Sequence, residues 1–218
     1  LPSEILVQKF NMNLNNISVL SGPNHAEEII INKPAATIIS SVNDVYSRKL
    51  QQLFSSNTLR VYTTSDIIGV QLGGAIKNVI AIASGLCVGL KLGDNIQASL
   101  VSRGMNEILE LSKVYKINKS TLYGLSGLGD LIATCYSNHS RNRKLGILLS
   151  TCKTLHEAKK LIGMVVEGIN TTKIVNILIN KHNLNMPITQ EIHNILFNNA
   201  NPEESLNNLM LRELKKEN

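Results

Sequence analysis

Twenty-four residues, Ile67 to Leu90, form an apolar run (IIGVQLGGAIKNVIAIASGLCVGL), and one lysine, Lys77, stands near its middle. Burying an ammonium without a partner costs several kcal/mol or drives its pKa down. Four placements satisfy the physics. The run is long enough to span a bilayer, although a central charge is penalised there. It can be a core helix whose lysine reaches out to solvent. The lysine can form a structural ion pair with a distant acid, or it can work in a cleft. Gly73 and Gly74 bare the helix one turn earlier, so a ligand or a second backbone can come close. Asn78 adds a donor and an acceptor beside the charge.

At 218 residues the chain is long enough to bury a substantial core in one or two domains. Only 4% of residues are aromatic and none is tryptophan, so stacking platforms for single-stranded nucleic acid are not expected. The net charge of +6 is scattered apart from Arg141-Asn142-Arg143-Lys144 and Lys215-Lys216. It suits a solvated basic surface with a small phosphorylated substrate, not a nucleic-acid polymer. Cys87, Cys135 and Cys152 are odd in number and lack metal spacing, so reduced buried thiols in the cytoplasm, and no metal site, are expected. No signal peptide is visible. The chain opens with Leu1, inside an expected helix from Pro2 to Phe10, which suggests that something precedes it.

The first sixty or so residues alternate between strand and helix patterns. Strands are expected over Ile17–Ser21, Ala36–Ser40 and Leu59–Thr63, and helices over Ala26–Ile31 and Val45–Phe54. Alternation of this kind argues for part of an open α/β sheet. After Asp66, an N-cap candidate, the pattern turns helical. Asp94 or Asn95 is a candidate cap for a helix over Ile96–Tyr115, and Ser120 starts a short one. Thr154 to Glu157 spells a capping box for Leu155–Ile162. Ile169–Lys181 is amphipathic and ends at Asn183, while Pro187 and Pro202 suit first-turn positions of two last helices.

Four further stretches carry chemistry. In Ser126-Gly-Leu-Gly-Asp130, the glycines permit a sharp turn, and Asp130 is either a plain helix cap or a partner for Lys77. Ser140-Arg141-Asn142 opens a helix with a hydroxyl, a guanidinium and an amide, a combination suited to phosphate, although a solvated basic turn has the same composition. Ser21-Gly22-Pro23-Asn24-His25-Ala26 follows a strand and opens a helix, the place where α/β sheets bind ligands, or is a tight turn only. Glu167, in Val165-Val166-Glu167-Gly168, is a ribose ligand or a helix cap. His25 alone is uninformative.

Taken in order, SGPNHAEE, GVQLGGAIKNVIAIASGL, GLSGLGDLIATC, SRNRKLG, VVEG and MPIT resemble the bacterial-type NAD(P)-dependent glycerol-3-phosphate dehydrogenase family, over essentially the whole chain. The resemblance implies an α/β part followed by an all-α part. Residues 1–64 would be the C-terminal part of a Rossmann-type NAD(P)-binding domain with an incomplete sheet. Residues 65–218 would be a helical substrate domain of the 6-phosphogluconate dehydrogenase C-terminal type. It implies interconversion of sn-glycerol 3-phosphate and dihydroxyacetone phosphate with NAD or NADP, supplying glycerol 3-phosphate for phospholipid synthesis. It places the general acid/base on Lys77 and the substrate-site aspartate on Asp130. Gly22, Asn24, Asn78, Thr134, Ser140, Arg141 and Asn142 would also contact substrate, and Ala26, Arg141, Val165 and Glu167 the cofactor. A cytoplasmic homodimer without membrane insertion is expected.

Relatives usually carry Ser or Thr at position 24 and Phe at position 25. No GxGxxG occurs in the 218 residues, and pyrophosphate binding relies on such a turn. The chain therefore resembles the C-terminal two-thirds of the enzyme, without its upstream Gly-rich unit and substrate-touching lysine. An alternative expectation is a catalytically inactive fragment whose helical part is a binding or dimerisation module, with an exposed strand edge.

Overall fold

The computed structural model describes residues 1–218 apart from 152, 153, 215, 217 and 218, so the expectations for Cys152 and Lys215 lie outside the described residues. Helix α1 (Pro2–Phe10) leads into a short 3-10 turn and strand β1 (Ser18–Ser21). Helix α2 (Ala26–Ile30) joins β1 to β2 (Ala35–Ser41), and α3 (Asp44–Phe54) joins β2 to β3 (Leu59–Thr64). The order in the sheet is β1-β2-β3. β2 and β3 run parallel, with Ile39 opposite Thr63, as a helical crossover requires. β1 runs antiparallel to β2, Leu20 facing Ile39, so the sheet is mixed.

The change of class falls at Asp66. Its carboxylate accepts from the Gly69 N–H at 2.8 Å and starts α4 (Ile67–Gly89). This helix is long and apolar enough to cross a membrane, but most of it lies inside the protein. Val70, Val79, Ile80 and Ile82 are wholly buried. The helices that wrap it are α5 (Asp94–Glu110), α6 (Lys119–Tyr123), α7 (Asp130–Tyr136), α8 (Arg141–Leu149), α10 (Glu167–His182) and α11 (Pro187–Phe197), while α9 (Leu155–Ile162) packs on α8 and α12 (Pro202–Met210) on α11. A helix hydrophobic all round is what a bundle centre needs.

Most helix ends follow local chemistry. Thr154 and Glu157 form the capping box of α9, Asn183 closes α10 in the left-handed conformation, and both prolines sit in first turns. Four expectations fail. Gly93, not Asp94 or Asn95, is the N-cap of α5, and the helix gives way to a 3-10 turn after Glu110 instead of reaching Tyr115. The short helix starts one residue early because the Asn118 side chain, not Ser120, accepts the free N–H. Helix α10 begins at Glu167, two residues ahead of the apolar pattern.

The α4–α8 crossing is very close. A Cβ on Gly85 would stand 2.0 Å from the Arg143 carbonyl oxygen, and one on Gly146 2.0 Å from that of Ile82. Only glycine permits two helix backbones to approach so far, and this contact sets where the start of α8 lies relative to Lys77.

Candidate active site

Lys77 lies on the side of α4 that faces α7, and its Nζ is hydrogen-bonded to Asp130 Oδ2. The lysine side chain keeps 19% of its exposure and the aspartate 5%, so the cation is the more accessible of the pair. Burial pushes the Asp130 carboxyl above its ordinary range, while the Lys77 ammonium, the Thr134 hydroxyl and His25 pull it back. Thr134, one turn along α7, bonds Asp130 Oδ1 at 3.3 Å. Asp130 makes no capping bond; it belongs to the helix proper and spends its oxygens on Lys77 and Thr134. The plain-cap reading of Asp130 is therefore overturned.

The turn before it explains how the carboxylate gets there. Leu125–Gly129 forms a π-helical turn, and a Cβ on Gly73 would stand 2.5 Å from the Ser126 carbonyl oxygen. Gly73 thus admits a second backbone, not a ligand. Gly74 faces Ser21 Oγ at 3.0 Å from its would-be Cβ, which seats the loop after β1 on α4, one turn before Lys77.

A second cluster begins at the next residue of α4. Asn78 Nδ2 donates to Glu167 Oε2 at 3.2 Å; Asn142 Nδ2 donates to Asn78 Oδ1 at 2.9 Å; the Gly168 N–H donates to Asn142 Oδ1 at 2.9 Å. These bonds close a ring across α4, α8 and α10 and satisfy both buried amides. Glu167 makes no cap, so that reading fails too. Its side chain stays accessible at the edge of the ring, beside the largely exposed Val165.

Ser140 is buried and caps α8 by accepting from the Arg143 N–H at 3.2 Å, which leaves Arg141 exposed as the first residue of the helix. Gly22 has a φ of 140°, which glycine tolerates best, and a Cβ there would stand 3.1 Å from Thr37 Cα. Asn24 Nδ2 donates to Thr37 Oγ1 at 3.1 Å, and Thr37 in turn donates to the Ser21 carbonyl at 2.7 Å. Ala26 begins α2 on the exposed side of this loop.

The residues singled out from sequence therefore group as Lys77–Asp130–Thr134 and Asn78–Asn142–Glu167, adjacent along α4. Gly22 and Asn24 are held by Thr37, and Ala26 and Val165 lie at the periphery. Thr37 and the Gly85–Gly146 crossing escaped the sequence reading. A fully buried threonine in a strand carries no local signal, whereas the two glycines, each inside a helical pattern, did offer one. Among the described residues no group of three or more His, Cys, Asp or Glu side chains is placed to hold a metal.

Known proteins resemble this chain over most of its length. The profile for NAD-dependent glycerol-3-phosphate dehydrogenase C-terminus matches residues 66–207, and that for the N-terminus of the same enzyme matches residues 1–47. The chain is 45% identical over 215 residues to a glycerol-3-phosphate dehydrogenase (NAD(P)+) of Clostridium botulinum, covering 99% of this chain and 64% of that one. It is 44% identical over 205 residues to the Halothermothrix orenii protein of the same name, covering 60% of it. The crystal structure of glycerol-3-phosphate dehydrogenase from Coxiella burnetii superposes with a TM-score of 0.86 at 40% identity, over 89% of this chain and 60% of that one. The Plasmodium falciparum enzyme superposes with a TM-score of 0.88 at 25% identity, over 99% and 62%. The chain spans just under two thirds of the length of the curated relatives it matches. With its central helix, its lysine–aspartate pair and both sequence profiles in accord, the chain belongs to the NAD-dependent glycerol-3-phosphate dehydrogenase family.

Proposed function

We propose that this chain carries the substrate half of an enzyme that interconverts sn-glycerol 3-phosphate and dihydroxyacetone phosphate, in a pathway feeding phospholipid synthesis. The Lys77–Asp130 pair carries the reading. A lysine held at the mouth of a buried carboxylate keeps its Nζ in a fixed direction with one face open. In the reducing direction Lys77 gives a proton from Nζ to the carbonyl oxygen as the carbon is reduced; in the oxidising direction it accepts the hydroxyl proton. Asp130 orients the ammonium and balances its charge, and Thr134 fixes Asp130. Ser140, Arg141 and Asn142 hold the ester phosphate at the start of α8, where free N–H groups and a guanidinium favour an anion. Gly22, Asn24 and Asn78 complete the substrate contacts.

A bound NAD or NADP supplies or takes up the hydride. The residues present suit its ribose and nicotinamide end: the accessible Glu167 carboxylate is tethered to Asn78, next to the proposed proton donor. Val165, Ala26 and Arg141, all exposed, are the further cofactor contacts in this reading. Domain limits at 1–64 and 65–218 follow the change from sheet to helices after Thr64. The free, buried thiols of Cys87 and Cys135 suit the cytoplasm. Exposed Ile174 and Ile177 on α10 offer apolar surface for a homodimer.

The test joins the N-terminal third of the Clostridium botulinum relative ahead of this chain and measures dihydroxyacetone-phosphate-dependent NADH oxidation. Lys77→Met should lower turnover by about a thousandfold, with folding checked by circular dichroism. Near-normal turnover removes Lys77 from the mechanism. Calorimetry on the 218 residues with glycerol 3-phosphate and with NADH addresses the alternative of a non-catalytic module. Binding of the ester supports a retained substrate site, and binding of neither ligand supports the module.

A further inference from the structure

The loop after β1 ends in a side chain to which the function proposed above gives no task. His25 precedes α2 directly, and its ring makes no capping bond. Its Nε2 is shut off from solvent, yet among the described residues no donor or acceptor meets it. Burying a polar atom without a partner is costly, and in a native fold such an atom calls for a water, an ion or a ligand to complete it. Three observations locate it. The His25 ring lies 6.0 Å, centroid to centroid, from that of His139, the residue before the Ser140 cap. His25 is among the groups near enough to Asp130 to help pull its carboxyl down. The same loop rests on the residue before Asp130, with Pro23 3.9 Å from where a Cβ on Gly129 would stand. His25 thus lies between the Lys77–Asp130 pair and the start of α8.

We propose that His25 Nε2 is a further substrate-contacting group, donating a hydrogen bond to a phosphate oxygen of the bound ester. The inference rests on the phosphotriose reading given above and adds a member to that site. An imidazole N–H donates in the neutral tautomer and in the cation alike, so the contact needs no proton transfer.

Calorimetry on the 218-residue chain, with glycerol 3-phosphate and with inorganic phosphate, tests it. His25→Phe keeps a planar ring and removes both nitrogens; it should weaken both ligands by about tenfold. His25→Gln restores a donor at similar reach and should recover binding to within about threefold of the parent. In the parent chain the imidazole 1H–15N resonance of His25 should shift on adding glycerol 3-phosphate, a readout that holds even if a variant misfolds. Unchanged affinity in His25→Phe, a Gln variant no better than Phe, or an unmoved resonance in a chain that binds the ester overturns the His25 assignment alone. A parent chain that binds no glycerol 3-phosphate overturns the phosphotriose reading, and this proposal with it.

Discussion

At the scale of single residues, two buried carboxylates answer the same constraint differently. Asp130 is met by an ammonium and a hydroxyl. Glu107, on α5, is met by the Ile188 and Thr189 N–H groups and by the Thr189 hydroxyl at the start of α11. Burial nevertheless raises the Glu107 carboxyl from an ordinary 4.5 to about 7, against the pull of Thr189, Ile188 and Arg212. A group whose pKa is higher in the folded than in the unfolded chain stabilises the fold fully below the unfolded value. That contribution is lost as pH rises through the folded one. Stability should therefore fall between about pH 4.5 and 7, by up to about 3 kcal/mol. Glu107→Gln, which keeps an acceptor without the charge, should flatten this slope in urea unfolding at pH 5 and pH 8. An equally steep slope in the variant would mean that other groups set it. A charge in an apolar run made Lys77 legible from sequence, whereas the choice between cap and partner for Asp130, 53 residues away, needed the fold.

At the scale of elements, the crossing of α4 and α8 is decided by Gly85 and Gly146. Adding a side chain at Gly146 drives it into the Ile82 carbonyl and separates the helices. It also pulls Asn142 from Asn78 and breaks the ring that ties both helices to α10. Gly146→Val should cost about 3 kcal/mol or more, seen as a lower thermal midpoint together with weaker glycerol 3-phosphate binding. A Val variant of parental stability would show that the crossing is slack. Caps governed by neighbouring residues were legible, as at Thr154 and Asn183. The start of α5 was not. Gly93 occupies the N-cap with a φ of 83°, a backbone choice that the acidic residues after it do not announce.

At the scale of the whole molecule, a three-stranded sheet stands beside a bundle built around one buried helix. Strands β1 and β3 each pair on one side only. Val45 and Leu53 of α3 are exposed. No GxGxxG sequence is present to hold a pyrophosphate. The 218 residues alone should accordingly show little or no dihydroxyacetone-phosphate-dependent NADH oxidation, while the chimera with the upstream third turns over. Robust turnover by the 218 residues would make the Gly-rich unit dispensable.

The amino-acid order by itself determined the change from alternating strands to helices near Asp66, the oddity of one charge inside a long apolar segment, and the motifs that mark the family. These depend on periodicity and on neighbours within a turn or two, where the chain's covalent geometry leaves few options. Tertiary structure decided that Asp130 meets Lys77 and is no cap, that Asn78, Asn142 and Glu167 share one ring, and that the His25 Nε2 is buried without a partner. Each of those outcomes joins groups more than fifty residues apart or turns on which atoms exclude water. Only the packing of helices against one another settles either.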